Sequence, residues 1–373
     1  MIWYLLNILI ISIVWLLLNE KKVYQLNFGE KSAVLDKNAI YCIVASTLWI
    51  LLSGLRGLSV GADTLSYKVD DFDVVKNYSW DQIFERFVDK YIEGEGSFND
   101  PSFYLINKVF QIFSDNYQLF LLFIALVFFI PFGIFVCKNS KNPHFSFILF
   151  SCLFFEFYAI TGLRQTIATA IVVFGGYALI KRKKWLAYIL IVLLASTIHL
   201  SVLCVLPFYW LSKIKINKIT LLCYWIATIC SFVFNNQLLF FLKFLLNNDK
   251  YNGYIQTDGA SAGTFLFLLI AVGIVVTLFH KNILKYSPEN GRLLINALMI
   301  AVFFSSLLLI NESFMRVLQY YSLYLVLLLP ELESMMANSR DKKIYRMVAE
   351  CVLILLLINK NPEYVFFWQE ILG

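Results

Sequence analysis

The chain has 373 residues, of which 60% are apolar, 17% aromatic and only 15% charged. Soluble domains carry about a quarter charged residues, so this composition excludes an ordinary soluble enzyme and points to lipid. The net charge of +6 sits mostly in short links between apolar runs, which excludes a nucleic-acid-binding stripe and is the orientation signal of a membrane protein.

In chain order, apolar runs predict spans near 2–18, 39–55, 119–136, 145–160, 164–180, 186–211, 219–235, 264–279, 293–310, 316–330 and 344–358. The expected fold is a single-domain, all-α polytopic membrane protein with about 11–12 transmembrane helices. The first run lacks a preceding basic stretch, and no small-residue cleavage site precedes Asn19-Glu20-Lys21-Lys22, so it reads as a retained helix. Cys42, Cys137, Cys152, Cys204, Cys223, Cys230 and Cys351 show no metal-like spacing and read as small core residues rather than a disulfide framework.

Twenty of the 31 lysines and arginines fall in six links: 19–38, 137–144, 181–184, 213–218, 280–292 and 340–346. All six lie on the cytoplasmic side if the N-terminus is outside and the stretch 186–211 enters and returns. Ser196-Thr197 and His199 near its middle, with Pro207 beyond, favour two half-helices meeting at 196–201. One long tilted helix with a basic outer loop is the alternative.

The large outer loop, 56–118, carries eleven acids against six bases. Its Trp80, Phe84, Phe87 and Tyr91 are spaced for an amphipathic helix lying on the membrane or on the bundle. A second outer segment, 236–262, reads as a short interfacial helix followed by a lid-like loop.

Four arginines, Arg56, Arg164, Arg316 and Arg86, fall on the outer side in this topology. Permanent cations on one face suggest an anion site, most simply for phosphate or diphosphate. Gly57 and Gly61 allow tight turns whose amides could join Arg56 in holding phosphate oxygens. Asp63 offers a carboxylate beside Thr64 and Tyr67, although Asp63 or Thr64 capping a helix start explains the same pattern. Arg164 with Gln165 reads as an inward-facing cation or a snorkelling terminal arginine. Arg316 has Glu312 as a possible ion-pair partner and Tyr320 or Tyr321 one turn away. His199, at the apex of the broken stretch, is a candidate general base or phosphate donor, or else a satisfied structural histidine. Asp100 before Pro101 is most simply a helix cap. Asp70-Asp71-x-Asp73 reads as an exposed acidic helix start, with a divalent ion as the lesser alternative. No nucleotide-binding loop, HExxH or nucleophile elbow is present.

Taken in order, five elements resemble those of the EpsG family, the Wzy-like polymerases of bacterial exopolysaccharide and O-antigen. They are Arg56-Gly57…Gly61-x-Asp63-Thr64-x-x-Tyr67, Asp100-Pro101-x-Phe103, Leu163-Arg164-Gln165 with Ala168, Ala195-Ser-Thr-Ile-His199-x-Ser201, and Arg316 with Tyr320 and Tyr321. The resemblance covers roughly 40–330. Ser102 stands where the family pattern has a small Gly, and Asp100 where Glu is commoner.

The resemblance implies a glycosyltransferase of the bacterial cytoplasmic membrane, working on its outer face without sugar nucleotide, metal or cofactor. It would transfer a growing glycan from undecaprenyl diphosphate to the next lipid-linked oligosaccharide repeat unit. It further implies catalytic roles for Asp63, His199, Arg56, Arg164 and Arg316, with Asp63 preferred over His199 as base. Gly57, Gly61, Thr64, Tyr67, Asp100, Gln165, Ser201 and Tyr320 would contact substrate. The lipid bilayer, a flippase and a chain-length regulator are the implied partners, and nucleic acid is not. A flippase or transporter of the same lipid-linked sugars, and a glycan ligase, are the competing functions.

Overall fold

A computed structural model describes residues 1–18, 24–28, 31–93, 100–246 and 260–372. Among the described residues, five helices are long and apolar enough to cross a membrane: Lys37–Gly54, Tyr117–Asn139, Leu163–Lys181, Gly263–Tyr286 and Pro288–Leu309. Shorter apolar helices, among them Ile2–Leu17, Trp185–Ser196 and Lys218–Val233, complete the bundle. Several of the expected 11–12 spans are shorter helices, such as the 16-residue Ile2–Leu17 and Lys218–Val233, and others are locally rewound or divided. The run near 145–160 contains π-helical turns at Phe150–Phe154 and Glu156–Thr161. The run 316–330 is divided into Met315–Ser322 and Leu325–Met335.

Helix starts follow the sequence. The side chains of Asp36, Asn116, Asn142 and Asn217 accept backbone N–H groups of their first turns. Ser79 and Gln82 form a capping box for Trp80–Val88. That helix leaves Trp80, Phe84 and Val88 exposed and turns Ile83 and Arg86 inward, the division of faces expected of an amphipathic helix. In the link 19–38, Tyr24–Phe28 and Lys31–Leu35 pair as a two-stranded antiparallel ribbon. The alternation Tyr24-Gln25-Leu26-Asn27-Phe28 carries that period of two, which its lysines overshadowed. Of the second outer segment, the helix Asn235–Leu246 is present, and the lid-like loop lies outside the described residues.

The core is aromatic. Phe128, Phe129, Phe132, Phe150, Trp49 and Tyr158 are buried and in mutual ring contact. The Lys37–Gly54 and Tyr117–Asn139 helices approach closely because Gly133 faces Ser46 and Gly54 faces Leu122, where a Cβ would collide.

The stretch 186–211 folds back on itself. Trp185–Ser196 ends at a turn, His199 is extended, and the chain resumes as the 3-10 helix Leu200–Val205 and then Phe208–Leu211. Tyr188 Oη donates to the Val205 carbonyl at 2.9 Å, and the Tyr188 and Tyr209 rings lie 5.6 Å apart. In a straight helix, residues 17 positions apart would be separated by about 25 Å.

Five of the basic links meet at one end of the bundle. Lys181, Lys183, Lys213 and Arg292 line one cleft of about 340 Å³. Lys141 Nζ stands 5.9 Å over the Tyr286 ring, Asn142 donates to Glu333 at 2.8 Å, and Glu333 pairs with Arg346 at 3.5 Å.

Candidate functional site

At the other end, the hairpin apex docks onto the start of the Pro101–Gln111 helix. Ser102 N donates to the Thr197 carbonyl at 3.2 Å and the two hydroxyls lie 2.6 Å apart. This contact sets His199 beside Asp100. Asp100 takes the left-handed conformation, φ 66°, and makes no side-chain cap bond. Such backbone costs a non-glycine residue about 1–3 kcal/mol and marks functional sites. Asp100 stands at the N-cap position with its carbonyl accepting Phe103 N at 2.9 Å, but its carboxylate turns to Arg164 and His199 instead of capping the helix.

Arg164 Nη2 donates to Asp71 Oδ2 at 2.6 Å and Nη1 to Asp100 Oδ2 at 3.2 Å. The guanidinium carbon also lies 5.3 Å from the Tyr67 ring centre and 5.1 Å from that of Phe103. His199 Nδ1 is 3.8 Å from the same Asp100 oxygen, an ion-pair separation beyond hydrogen-bond reach. Among the described residues, Asp100 Oδ1 and both His199 ring nitrogens are buried without a hydrogen-bond partner. Arg86, buried, is sandwiched 4.4 Å from each of the Tyr78 and Tyr104 rings.

Burial opposes ionisation of Asp100, but His199 and then Arg164 outweigh it and hold the carboxyl below its ordinary range. A depressed folded-state value means the ionised form stabilises the fold above about pH 4, with the contribution lost as pH falls through that lower value. Detergent-solubilised protein should therefore show an unfolding midpoint that drops below about pH 4, and Asp100→Asn should flatten that drop.

Arg316 forms an adjoining sector. Its Nη2 donates to Asp63 Oδ2 at 3.3 Å, and both side chains are about one-third exposed, at 34% and 35%. Asp63 makes no side-chain cap bond either. Both residues line a cleft of about 480 Å³ with Gly61, Tyr4 and Tyr364. Gly61 has φ 93°, and a Cβ there would lie 2.5 Å from Ile160 Cγ2, so glycine alone fits this turn. Thr64 is buried and tied to the Val60 carbonyl at 2.7 Å, while Tyr117 Oη donates to the Thr64 carbonyl at 2.9 Å. The side chain of Glu312 lies outside the described residues.

Two residues join the sectors. Gln165 Nε2 donates to the Arg316 carbonyl at 3.0 Å. Tyr67 sits between Arg164 and Arg316; burial pushes its hydroxyl up to about 12, against the opposing pull of both guanidinium groups. Ser201 and Tyr320 are hydrogen-bonded at 2.9 Å, and Tyr321 donates to the Cys204 carbonyl at 2.6 Å, fixing the Met315–Ser322 helix against the hairpin. The late tyrosines thus point to the hairpin rather than along Arg316.

Arg56 stands apart. It is wholly buried, donates to the Ser53 carbonyl, and lies among Tyr117, Tyr364 and Tyr4. The C-terminal segment straps it in, through Gly57 N to the Val365 carbonyl at 2.9 Å and Tyr364 Oη to the Leu52 carbonyl at 2.8 Å. The loop amides expected to hold phosphate are occupied: Leu58 N and Ser59 N donate to Glu370 at 2.6 and 2.9 Å. Glu370 also fills the space where a Gly57 Cβ would go.

The acid cluster disperses. Asp70 accepts from Ser66 at 2.6 Å, Asp71 serves Arg164, and Asp73 pairs with Lys68 at 2.5 Å. Among the described residues no group of three metal-binding side chains converges. Sequence reasoning missed Asp71 as the main partner of Arg164 and Glu370 as the occupant of the loop. Neither has a local signal, since their partners lie 93 and 312 positions away.

An all-helical bundle, apolar on its outside and enclosing guanidinium, carboxylate and imidazole groups at the end opposite its basic links, defines a multi-pass membrane protein with a polar chamber. The EpsG family model matches residues 39–365, and the chain belongs to the EpsG family. That membership places it in polysaccharide biosynthesis at a membrane, among glycosyltransferase-like polymerases. No curated protein and no solved structure matches the chain.

Proposed function

We propose that this protein polymerises polysaccharide by transferring a growing glycan from a polyprenyl diphosphate, such as undecaprenyl diphosphate, to a hydroxyl of the next lipid-linked repeat unit. The site faces the outside of the bacterial cytoplasmic membrane, because the basic links gather at the other end. The observation carrying the reading is the pairing of an acidic, histidine-bearing sector with an accessible arginine sector. Carboxylates and imidazole suit an acceptor hydroxyl, whereas Arg316 in its open cleft suits a departing diphosphate.

In this scheme the acceptor oxygen bonds to the anomeric carbon of the donor glycan while the bond from that carbon to the diphosphate oxygen breaks. The electron pair leaves with the diphosphate, toward Arg316. The hydroxyl proton passes to His199, and Asp100 stabilises the imidazolium that forms. His199 replaces Asp63 as the preferred base because Asp63 faces Arg316. Arg164 holds Asp71 and Asp100 in place, and Arg56 underlies the loop without touching substrate.

Reconstitution with purified lipid-diphosphate repeat units should give a ladder of longer lipid-linked glycans. Arg316→Ala should slow it on the order of 10²–10³-fold. The exposed pair with Asp63 predicts a stability cost of only about 0.2–1 kcal/mol. One unit added to a different acceptor would indicate a ligase, and movement of intact lipid across the bilayer a transporter.

A further inference from the structure

Glu156, Phe157 and Pro362 line two cavities at once: the Arg316 cleft, and a neighbouring groove of about 500 Å³. The groove runs between the Glu156-bearing segment, the Gly263–Tyr286 helix and the Ser339–Lys360 helix. At their junction Lys360 Nζ donates to Glu156 Oε2 at 2.5 Å.

Each wall changes character in the same direction. Leu356 lies one turn before Lys360, and Cys152 and Leu153 one turn before Glu156; both segments run from the basic end toward the site. On the Gly263–Tyr286 helix the direction reverses, and the order reverses with it: Thr264 at the site end, Phe265 and Leu268 deeper. The groove is therefore polar where it meets the Arg316 cleft and apolar away from it. The flanking helices expose Phe267, Leu278, Val352 and Leu355 outward, which sets the groove in a lipid-facing surface.

We infer that this groove binds the isoprenoid chain of the polyprenyl diphosphate, and that Lys360, released from Glu156, joins Arg316 in holding the diphosphate. The inference rests on the proposed donor and gives it a seat. One occupant meets all these features: an amphiphile whose long apolar chain ends in a compact multiple anion. Lys360 and Arg316 supply the charge that it needs at one end, and the leucines and Phe265 the apolar surface at the other. Arg164 is already held by two carboxylates and Arg56 is enclosed, so Lys360 is the second cation that the geometry offers.

The test uses the full chain in lipid nanodiscs and a sugar-free polyprenyl diphosphate carrying a diazirine on its chain. Labelling should concentrate on 152–157, 264–268 and 352–360. Leu268→Trp and Leu356→Trp, which fill the groove from opposite walls, should each cut it about tenfold, as loss of roughly two buried methylenes predicts. Lys360→Glu, an exposed change that spares the core, should cut it as much. Labelling spread over other helices, or unchanged in all three variants, overturns the inference. So does equal labelling by a diazirine phospholipid that competes with the probe, which would make the groove a bulk-lipid cleft. Because no sugar is transferred, groove labelling by a protein that builds no ladder would remove the polymerase reading and keep the groove.

Discussion

Arg164→Ala should abolish polymer formation and also destabilise the protein by about 3–5 kcal/mol, the cost of stranding buried charge. The guanidinium compensates Asp71 and Asp100, which are only 3% and 5% exposed. Truncation leaves two buried carboxylates on either side of the vacated guanidinium without their shared cation. Arg164→Lys should recover little, because one ammonium lacks the planar fork that reaches both oxygens. The decisive comparison is the triple variant Arg164→Met, Asp71→Asn, Asp100→Asn. It should regain much of the unfolding midpoint while remaining inactive. A midpoint unchanged in Arg164→Ala would show that the carboxylates are hydrated and that the buried cluster is misdescribed.

His199→Ala should lower the catalytic rate by about 10²–10⁴-fold, the range for a lost general base. Neither ring nitrogen has a hydrogen-bond partner among the described residues; truncation removes the imidazole beside Asp100 but leaves Arg164 on that carboxylate, so the unfolding midpoint should fall less than in Arg164→Ala. The loss should fall on kcat with KM near that of the parent, since the acceptor hydroxyl is bound by more than this ring. Added imidazole should restore part of the rate by occupying the vacated space. A variant that polymerises normally would remove His199 from the chemistry and return attention to Asp63.

The two substitutions differ because the residues do different work. Arg164 builds the floor of the site and takes its stability from ion pairs. His199 is held by the backbone of the hairpin apex, through the Thr197–Ser102 contact, so its ring is left free to exchange a proton.

The hairpin was legible in the sequence because it breaks a local rule. Ser196, Thr197, His199 and Pro207 interrupt an apolar run, and the lysines at 213–218 require the chain to return. The arginines were legible for the same reason, as charges beside apolar segments. What each arginine touches was not. Arg56, Arg164 and Arg316 look alike in sequence, yet one is sealed under the C-terminal strap, one is clamped between two carboxylates and one lines an open cleft. Those differences come from contacts across 64 to 312 positions, and no periodicity or spacing encodes them. The Glu370 clamp illustrates the limit: the loop amides were expected to hold phosphate, and Leu58 N and Ser59 N donate instead to a carboxylate of the same chain.

The π-helical turns at Phe150–Phe154, Glu156–Thr161 and Ala170–Gly175 were likewise invisible to hydropathy. The first two line the Arg316 cleft and the groove, where an extra residue per turn re-aims side chains that a regular helix would point elsewhere. Glu156 lies on such a segment and so does its neighbour in both cavities, Phe157.

The scheme requires that every new glycosidic linkage free one polyprenyl diphosphate. Purified protein given radiolabelled lipid-linked repeat units allows both products to be counted over the same interval. The account predicts one released lipid diphosphate per linkage formed, with both falling together in Arg316→Ala and His199→Ala. Linkages formed with the lipid diphosphate retained, or lipid diphosphate released with no chain growth, would contradict it.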